Sequence, residues 1–327
     1  MGAISETRTY ADLLSTTLAE YIPTLYDQVF DVYPFLSWVN GSLGEKTRRK
    51  RKSIKKVVSG GESIVVELMY GKNTTAKPYA GAEPLDTSLQ EGVTIARFDW
   101  KQYAATIGIT GIDLRKNKGK HAVLNLAKTR TEQAEMSLRD IMNPHLLGDG
   151  TSYGGKSFTG TGALISATST VGGVSVTAVP QWKSIIDSAG FSWAAQGRAK
   201  LRTMFNNLSY GNDVPDAIFT DQTTYESVEA SMEDKERIGT KGALELGFDS
   251  LSYKGVLVTW DRDFTAGTME FYNSAYMDFY VHEDADLKAS KFVQPFGQDI
   301  LSANIILQAN LIVKNRRMFG RLSGITA

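Results

Sequence analysis

Hydrophobic and polar positions divide the chain into stretches of different period. Leu13, Leu14, Leu18 and Tyr21 recur at near-helical spacing, Pro23 interrupts, and Leu25, Val29 and Phe30 resume the pattern before Pro34. The spacing predicts an arm of two short amphipathic pieces, too small to bury their apolar faces on each other. Ser63–Tyr70 is β-branched and apolar, and Val93–Ile109 alternates, with Phe98 and Trp100 on one face and Arg97, Asp99 and Lys101 on the other. Both read as strands. Between them, residues 71–92 carry Gly71, Asn73, Pro78, Gly81, Pro84 and Gly92 and no element of their own. A compact domain rarely tolerates a bare loop of more than about 15 residues. A long hairpin reaching away from its own core satisfies the pattern, and a two-stranded ribbon is marginal alone in water, so it needs a surface to lie on.

The clearest helical pattern runs from Lys120 to Met142, with Val123, Ala127, Ala134, Leu138 and Ile141 on one stripe. Asn117 is its expected N-cap, and Asn143-Pro144 its expected end, because the residue before proline is driven from the helical region. Such a helix is about 35 Å long. From Val179 onward the pattern is mixed. Trp182, Ile185, Ile186 and Ala189 fit one amphipathic helix, and Leu201, Met204, Phe205 and Leu208 another. Ala217–Thr220 is a short buried strand, Thr223 with Glu226 forms a capping box, and Val256–Trp260 and Thr268–Tyr272 are strands flanking an Asp263–Gly267 turn. Ala303, Ile305, Leu307, Ala309, Leu311 and Val313 then share one face of a long strand, opposite Asn304, Gln308, Asn310 and Lys314. No internal repeat or low-complexity segment is present.

Charge changes this picture locally. Lys and Arg total 36 and Asp and Glu 36, a neutrality that argues against a generic nucleic-acid coat protein. Yet eight of the eleven residues from Lys46 to Lys56 are basic, whereas residues 1–45 hold six acids and one base, Arg8. That asymmetry favours mutual pairing, within or between copies, over contact with phosphate backbones. The chain has no cysteine, which removes disulfides, thiolate nucleophiles and Cys-based metal sites. Its 42% hydrophobic and 22% charged content is that of a globular protein, and 327 residues suggest two lobes. No run of about 18 apolar residues could span a membrane, and the N-terminus has no secretory pattern.

Gly150–Ser157 satisfies G-x-x-x-x-G-K-[ST], the phosphate-binding loop of nucleotide enzymes. That chemistry needs a strand before the loop and a helix N-terminus directly after it. Here a helix ending near Pro144 precedes it, and Gly160 and Gly162 follow, so a Gly-rich connector is the favoured reading and a nucleotide-binding enzyme the alternative. Asp221 and Asp261, each ending an apolar strand, are the candidate Mg²⁺ acids for that alternative. His121, His145 and His282 are isolated, no Gly-x-Ser-x-Gly elbow exists, and the acids of Asp261–Asp263 and Glu283–Asp286 sit at turns where solvated carboxylates are ordinary.

Lys254–Asp261, Thr268–Asn273, Lys291–Pro295 and the closing Asn315–Ile325 resemble segments of the major capsid proteins of tailed bacteriophages. The Leu147–Gly150 step after the long helix, with Gly160 and Gly162 downstream, is similar to the helix exit in that family. The C-terminal stretch carries most of the specificity; the remainder is a match of element order, and together they cover most of the chain. The resemblance implies an α+β, Hong Kong 97-like capsid fold. Its parts would be an N-terminal arm (1–45), a basic segment with an extended β-hairpin loop (46–110), a peripheral domain with a long spine helix (111–178), an axial α/β domain (179–286), and a return strand completing the peripheral domain (287–327). It implies a structural protein rather than an enzyme, without cofactor or metal. Hexamers and pentamers would assemble into an icosahedral shell around double-stranded DNA, located in the virion after assembly in the host cytoplasm. Portal, scaffolding and decoration proteins are the further partners implied, and no membrane is.

Contacts between copies would then fall on Tyr70, Lys72, Lys77, Pro78, Tyr79 and Glu83 of the hairpin loop, on Arg48, Arg49 and Arg51, and on Phe30 and Tyr33 of the arm. Two departures from the family stand out. There is no room for the N-terminal scaffolding segment of some members. Lys72 and Lys77 lie where some members cross-link Lys to Asn, but nothing local identifies a partner or a catalytic Glu, so no cross-link is carried over.

Overall fold

The computed structural model describes residues 33–41, 54–116, 126–231 and 251–326. The helices of more than one turn are α1 (Pro34–Val39), α2 (Gly111–Lys116), α3 (Leu126–Leu147), α4 (Arg198–Asn207) and α5 (Gln222–Ala230). The strands are β1 (Lys55–Val58), β2 (Ile64–Met69), β3 (Val93–Phe98), β4 (Lys101–Thr110), β5 (Ile185–Asp187), β6 (Phe191–Ser192), β7 (Ala217–Thr220) and β8 (Leu251–Tyr253). They continue with β9 (Val256–Trp260), β10 (Thr268–Tyr272), β11 (Met277–His282), β12 (Lys288–Ala289), β13 (Ile300–Val313), β14 (Gly320–Ser323) and β15 (Ile325–Thr326).

The chain forms two compact units, each drawn from distant segments. The larger contains Val32–Tyr103, Arg139–Asp286 and Leu307–Ala327; the smaller includes Ala104–Leu138 and Leu287–Ile306. The larger is organised by a six-stranded mixed sheet in the order β5-β14-β10-β7-β9-β8. Its central strands are apolar on both faces, and Ala217, Ile218 and Phe219 of β7 are all fully buried, as expected when both faces are covered. One face packs on α4 and α5 through Leu201, Met204, Phe205, Tyr225 and Val228. A second aromatic group, Phe35, Trp38, Phe219, Phe264 and Tyr272, meets in stacked, tilted and edge-to-face pairs at centroid separations of 5.2–6.3 Å. In the smaller unit β12 pairs antiparallel with β13 at Lys288–Ile306 and Ala289–Ile305.

Several expectations change. Pro34 begins a helix rather than closing one: it occupies the first turn of α1, where its missing N–H costs nothing. The piece expected just before it lies outside the described residues, as do Asn117, Lys120 and Val123. Conversely, Pro144 does not end α3, which continues to Leu147. Met142 and Leu146 are buried and the Asn143 amide is held by tertiary hydrogen bonds, which together offset the roughly 3 kcal/mol cost of an interior proline. Trp182–Ala189 contains a strand, β5, instead of a helix: residues 185–187 pair parallel with β14, and the Trp182 indole donates to the Val171 carbonyl. The Thr223–Glu226 box is absent. Asp221 is the N-cap of α5, its carboxylate accepting from the Thr224 N–H. Val93–Ile109 is two strands, β3 and β4, broken at Asp99-Trp100. The long strand β13 has the expected buried face, but Asn310 on the opposite face is buried too. It donates to the Asp99 carbonyl and accepts from the Thr159 N–H.

Candidate assembly surface

β2 and β3 pair antiparallel from Ile64–Phe98 to Met69–Val93, so alternate residues face opposite ways. One face is Ile64, Leu68, Ala96 and Phe98, all buried against the chain's own body. The other face places Val65 opposite Arg97, Ile95 opposite Glu67, and Met69 opposite Val93. A half-buried ribbon normally turns polar groups outward. Here Val65, Met69, Val93 and Ile95 are all exposed, Met69 to 84%.

The root of the ribbon is fixed. The Arg97 N–H donates to Gly172 O at 2.9 Å, the Trp100 indole to Gly61 O at 2.8 Å, and Lys101 Nζ to Gly155 O at 2.6 Å. Gly172 has φ +62°, and a Cβ there would stand 2.7 Å from the Ala96 methyl, so only glycine serves. At the far end Tyr70 and Gly71 both donate to Gly92 O, and a Cβ on Gly71 would lie 2.9 Å from Gly92 Cα.

Beyond that mouth, residues 71–92 form neither helix nor strand, as the sequence pattern predicts. The two limbs are tied across by Thr74, whose N–H and Oγ1 both reach Gln90 Oε1. Local side-chain turns at Asn73–Thr75 and Asp86–Ser88 shape each limb. The Ser88 backbone N–H holds the Asp86 carboxyl below its usual range. Lys72, Lys77, Pro78, Tyr79 and Glu83 are exposed on this loop, and Tyr70 at its mouth is half-buried. Tyr33 is not on this surface: it is buried, and its hydroxyl donates to Asp140. Phe30, Arg48, Arg49 and Arg51 lie outside the described residues.

The last two lysines of the basic run meet acids of their own chain. Lys55 Nζ lies 2.7 Å from Asp286, and Lys56 Nζ 2.7 Å from Asp278, which also receives Lys314. Asp278 is fully buried, and its Oδ1 has no hydrogen-bond partner among the described residues. Burial lowers the pKa of Lys314, although the carboxylate opposes that shift.

The other candidates have structural roles. In Gly150–Ser157, Tyr153, Gly154 and Gly155 are left-handed (φ +53°, +68° and +81°). Amides that a phosphate would need are used internally: Thr151 donates to Asp149, Gly155 to Thr151 O and Ser157 to Ser152 O. A helix precedes this loop, and only one helical turn, Thr161–Leu164, follows it. Gly148, Gly160 and Gly162 form a close backbone crossing after α3, where a Cβ on Gly160 would sit 2.2 Å from Gly148 O. Asp221 caps α5 and also accepts the Gly267 N–H; Asp261 accepts the Phe35 and Asp263 N–H groups and the Asn143 amide. Burial pushes the Asp261 carboxyl up despite those bonds. His145 shares a 2.9 Å hydrogen bond with the Tyr103 hydroxyl, and His282 Nδ1 accepts from the Asp284 N–H. His121 lies outside the described residues. Among the described residues no group of three His, Asp or Glu could hold a metal ion, and no helix is long and apolar enough to cross a membrane.

Sequence reasoning missed Asp278, Asn310 and Arg316 as structural centres. The one signal for the first two is a polar residue set within an apolar strand. Arg316 has none locally, because all its partners come from residues 163–182.

No family model matches the chain, and no curated protein does. Solved structures do match, along nearly the whole length of both chains. The capsid of cyanophage A-1(L) superposes with a TM-score of 0.66 at 14% identity, covering 98% of this chain and 99% of that one. The chain has the fold of tailed-phage capsid proteins. The capsid of Myoviridae phage XM1 agrees (TM-score 0.60, 14% identity, 94% and 97% covered). So does the SrpI encapsulin from Synechococcus elongatus PCC 7942 (TM-score 0.62, 9% identity, 96% and 95% covered). The α+β, Hong Kong 97-like architecture expected from the sequence is therefore the one observed.

Proposed function

We propose that this protein is the major capsid protein of a tailed bacteriophage, a structural subunit without enzymatic activity that self-assembles into an icosahedral shell enclosing double-stranded DNA. The observation that carries the reading is end-to-end agreement with phage capsid subunits, joined to a ribbon whose outer face is apolar and bare. A monomer gains nothing from exposing Val65, Met69, Val93 and Ile95; a shell buries them. The division into arm, extended loop, peripheral domain, axial domain and return strand belongs to this reading. So do hexamers and pentamers as capsomers, portal, scaffolding and decoration proteins as partners, and assembly in the host cytoplasm. Neutral net charge supports it, because many like-charged copies at close spacing repel one another. The pairing of Lys55 and Lys56 with acids supports a bracing role for the end of the basic run more than DNA contact. Tyr70, Lys72, Lys77, Pro78, Tyr79 and Glu83 are the loop residues that would touch a neighbouring copy.

Expression of the full chain followed by electron microscopy tests this: closed hollow particles are expected, and a protein that stays monomeric at high concentration overturns it. Particles from infected cells should protect double-stranded DNA from nuclease; particles filled only with protein would mark a shell of another kind on the same fold. Lys156→Ala should leave assembly unchanged, whereas nucleotide binding abolished by that substitution would revive the phosphate-loop alternative.

A further inference from the structure

The helix that contains α4 begins at an unfilled cleft of the larger unit. Trp193–Gly197 is a single π-turn that runs directly into α4, so one continuous helix covers residues 193–207. Ser192 precedes it, and its side chain makes no capping hydrogen bond. The first amides of such a helix have no intrahelical partner. Trp193 is only 3% exposed, and its indole Nε1 is buried without a hydrogen-bond partner among the described residues. Gly197 rests on that ring: a Cβ there would stand 2.3 Å from Trp193 Cδ2, so only glycine lets the turn approach the indole.

The cleft has a volume of about 470 Å³ and is lined by residues 193–199, Arg202 and Ser231. Arg198 and Arg202, one turn apart on the exposed side of α4, both border it. Neither makes an ion pair or hydrogen bond among the described residues, whereas Lys200 between them is held by Asp187 at 2.7 Å. No carboxylate lines the cleft, and residues 188–212 contain no acid. The Ser231 hydroxyl is already committed to Val228 O at 2.7 Å. What remains is a set of donors: two guanidiniums, one unpaired indole N–H and the open end of a helix. Lys254, donating to Asn206 Oδ1 at 3.0 Å, extends the positive charge one more turn along α4.

We infer that this cleft binds a phosphate group, held by Arg198, Arg202 and the first amides of the π-turn, with the Trp193 indole as a further donor. A helix N-terminus and paired guanidiniums are the donors that phosphate oxygens take. A carboxylate brings two oxygens and one charge, and leaves part of this donor set unused. Free phosphate and the backbone of nucleic acid carry the same chemistry. The site stands without the capsid reading; DNA as the source of the phosphate rests on it.

Calorimetric titration of the full chain with inorganic phosphate, at constant ionic strength, should show saturable binding. Arg198→Gln/Arg202→Gln should weaken it by about tenfold or more. Lys183→Gln/Arg317→Gln removes the same charge from two other exposed positions and should leave it unchanged. Trp193→Phe keeps the ring and every charge, loses only the donor, and should weaken binding by about threefold or more. Absence of saturable binding, or equal loss in both charge pairs, overturns the site. Parent-like affinity in Trp193→Phe overturns it too, because charge alone would then account for the attraction. Filter binding of a short DNA duplex separates the sources. Weakening by Arg198→Gln/Arg202→Gln supports backbone phosphate, and parent-like duplex binding with phosphate binding lost supports the free ion. None of these assays needs a particle, so a chain that binds phosphate but never assembles overturns the capsid reading alone.

Discussion

Replacing Arg316 by lysine keeps the charge and most of the length yet removes a hydrogen-bonding pattern no other side chain provides. Arg316 is fully buried, and among the described residues none of its hydrogen-bond partners is a carboxylate. Its five N–H donors reach five backbone carbonyls: Nε to Leu164, Nη1 to Ser169 and Trp182, Nη2 to Ala163 and Ser166, at 2.7–3.3 Å. Burial pulls its pKa down to about 10, so it remains charged at neutral pH, and its guanidinium lies 5.7 Å from the Trp182 ring. The result is that one side chain from the C-terminal segment organises the loops of residues 163–182. An ammonium has three donors, so Arg316→Lys loses at least two of those five hydrogen bonds, even though Leu164 O and Ser166 O also accept from the Ser184 hydroxyl and N–H. At about 1.5–3 kcal/mol for each hydrogen bond from a charged group, the loss is about 3–6 kcal/mol, a large share of the stability of an ordinary domain. Urea unfolding of dissociated subunits, followed by tryptophan fluorescence, measures it, with Trp182 as a local reporter. A variant within about 1 kcal/mol of the parent would refute the donor-counting argument.

Three further substitutions test other joints. Gly160→Ala drives a methyl into the Gly148 and His145 carbonyls at 2.2 and 2.6 Å, and should cost about 1–3 kcal/mol by the same unfolding assay. Gly108→Ala, where nothing lies within 4 Å, should stay within about 0.5 kcal/mol. His145 supplies a pH test. Burial lowers its pKa below the ordinary 6.5, and burial raises that of Tyr103 to about 12, so the phenol stays protonated. With the Phe158 N–H donating to the Tyr103 oxygen, that phenol is set to donate to a neutral His145 Nδ1. A depressed folded pKa means the contribution is full above about 6.5 and is lost as pH falls through the folded value. The parent's unfolding midpoint should therefore drop more between pH 7.5 and 5 than that of His145→Gln; equal slopes would remove His145 from the acid response.

What the sequence by itself determined is local and periodic. The β2–β3 ribbon, the bare loop 71–92, α4, β7 and the buried face of β13 all follow from alternation or 3.6-residue spacing, which act over a few neighbouring residues. The loop's length alone implied that it reaches outward, because a core cannot absorb so long a stretch without elements. Tertiary structure decided what local preference could not. Pro144 stays inside α3 because neighbouring burial and the Asn143 bonds outweigh the proline penalty. Ile185–Asp187 becomes a strand because β14, more than 130 residues later, offers it a parallel edge. Asn310, Asp278 and Arg316 became buried centres because their partners come from remote segments, and a hydrogen bond between distant residues leaves no trace in the spacing of either. Exposure is equally non-local. That Leu89 and Phe296 are bare while Leu68 and Phe98 are covered depends on where the rest of the chain lies, which no pattern along one strand records.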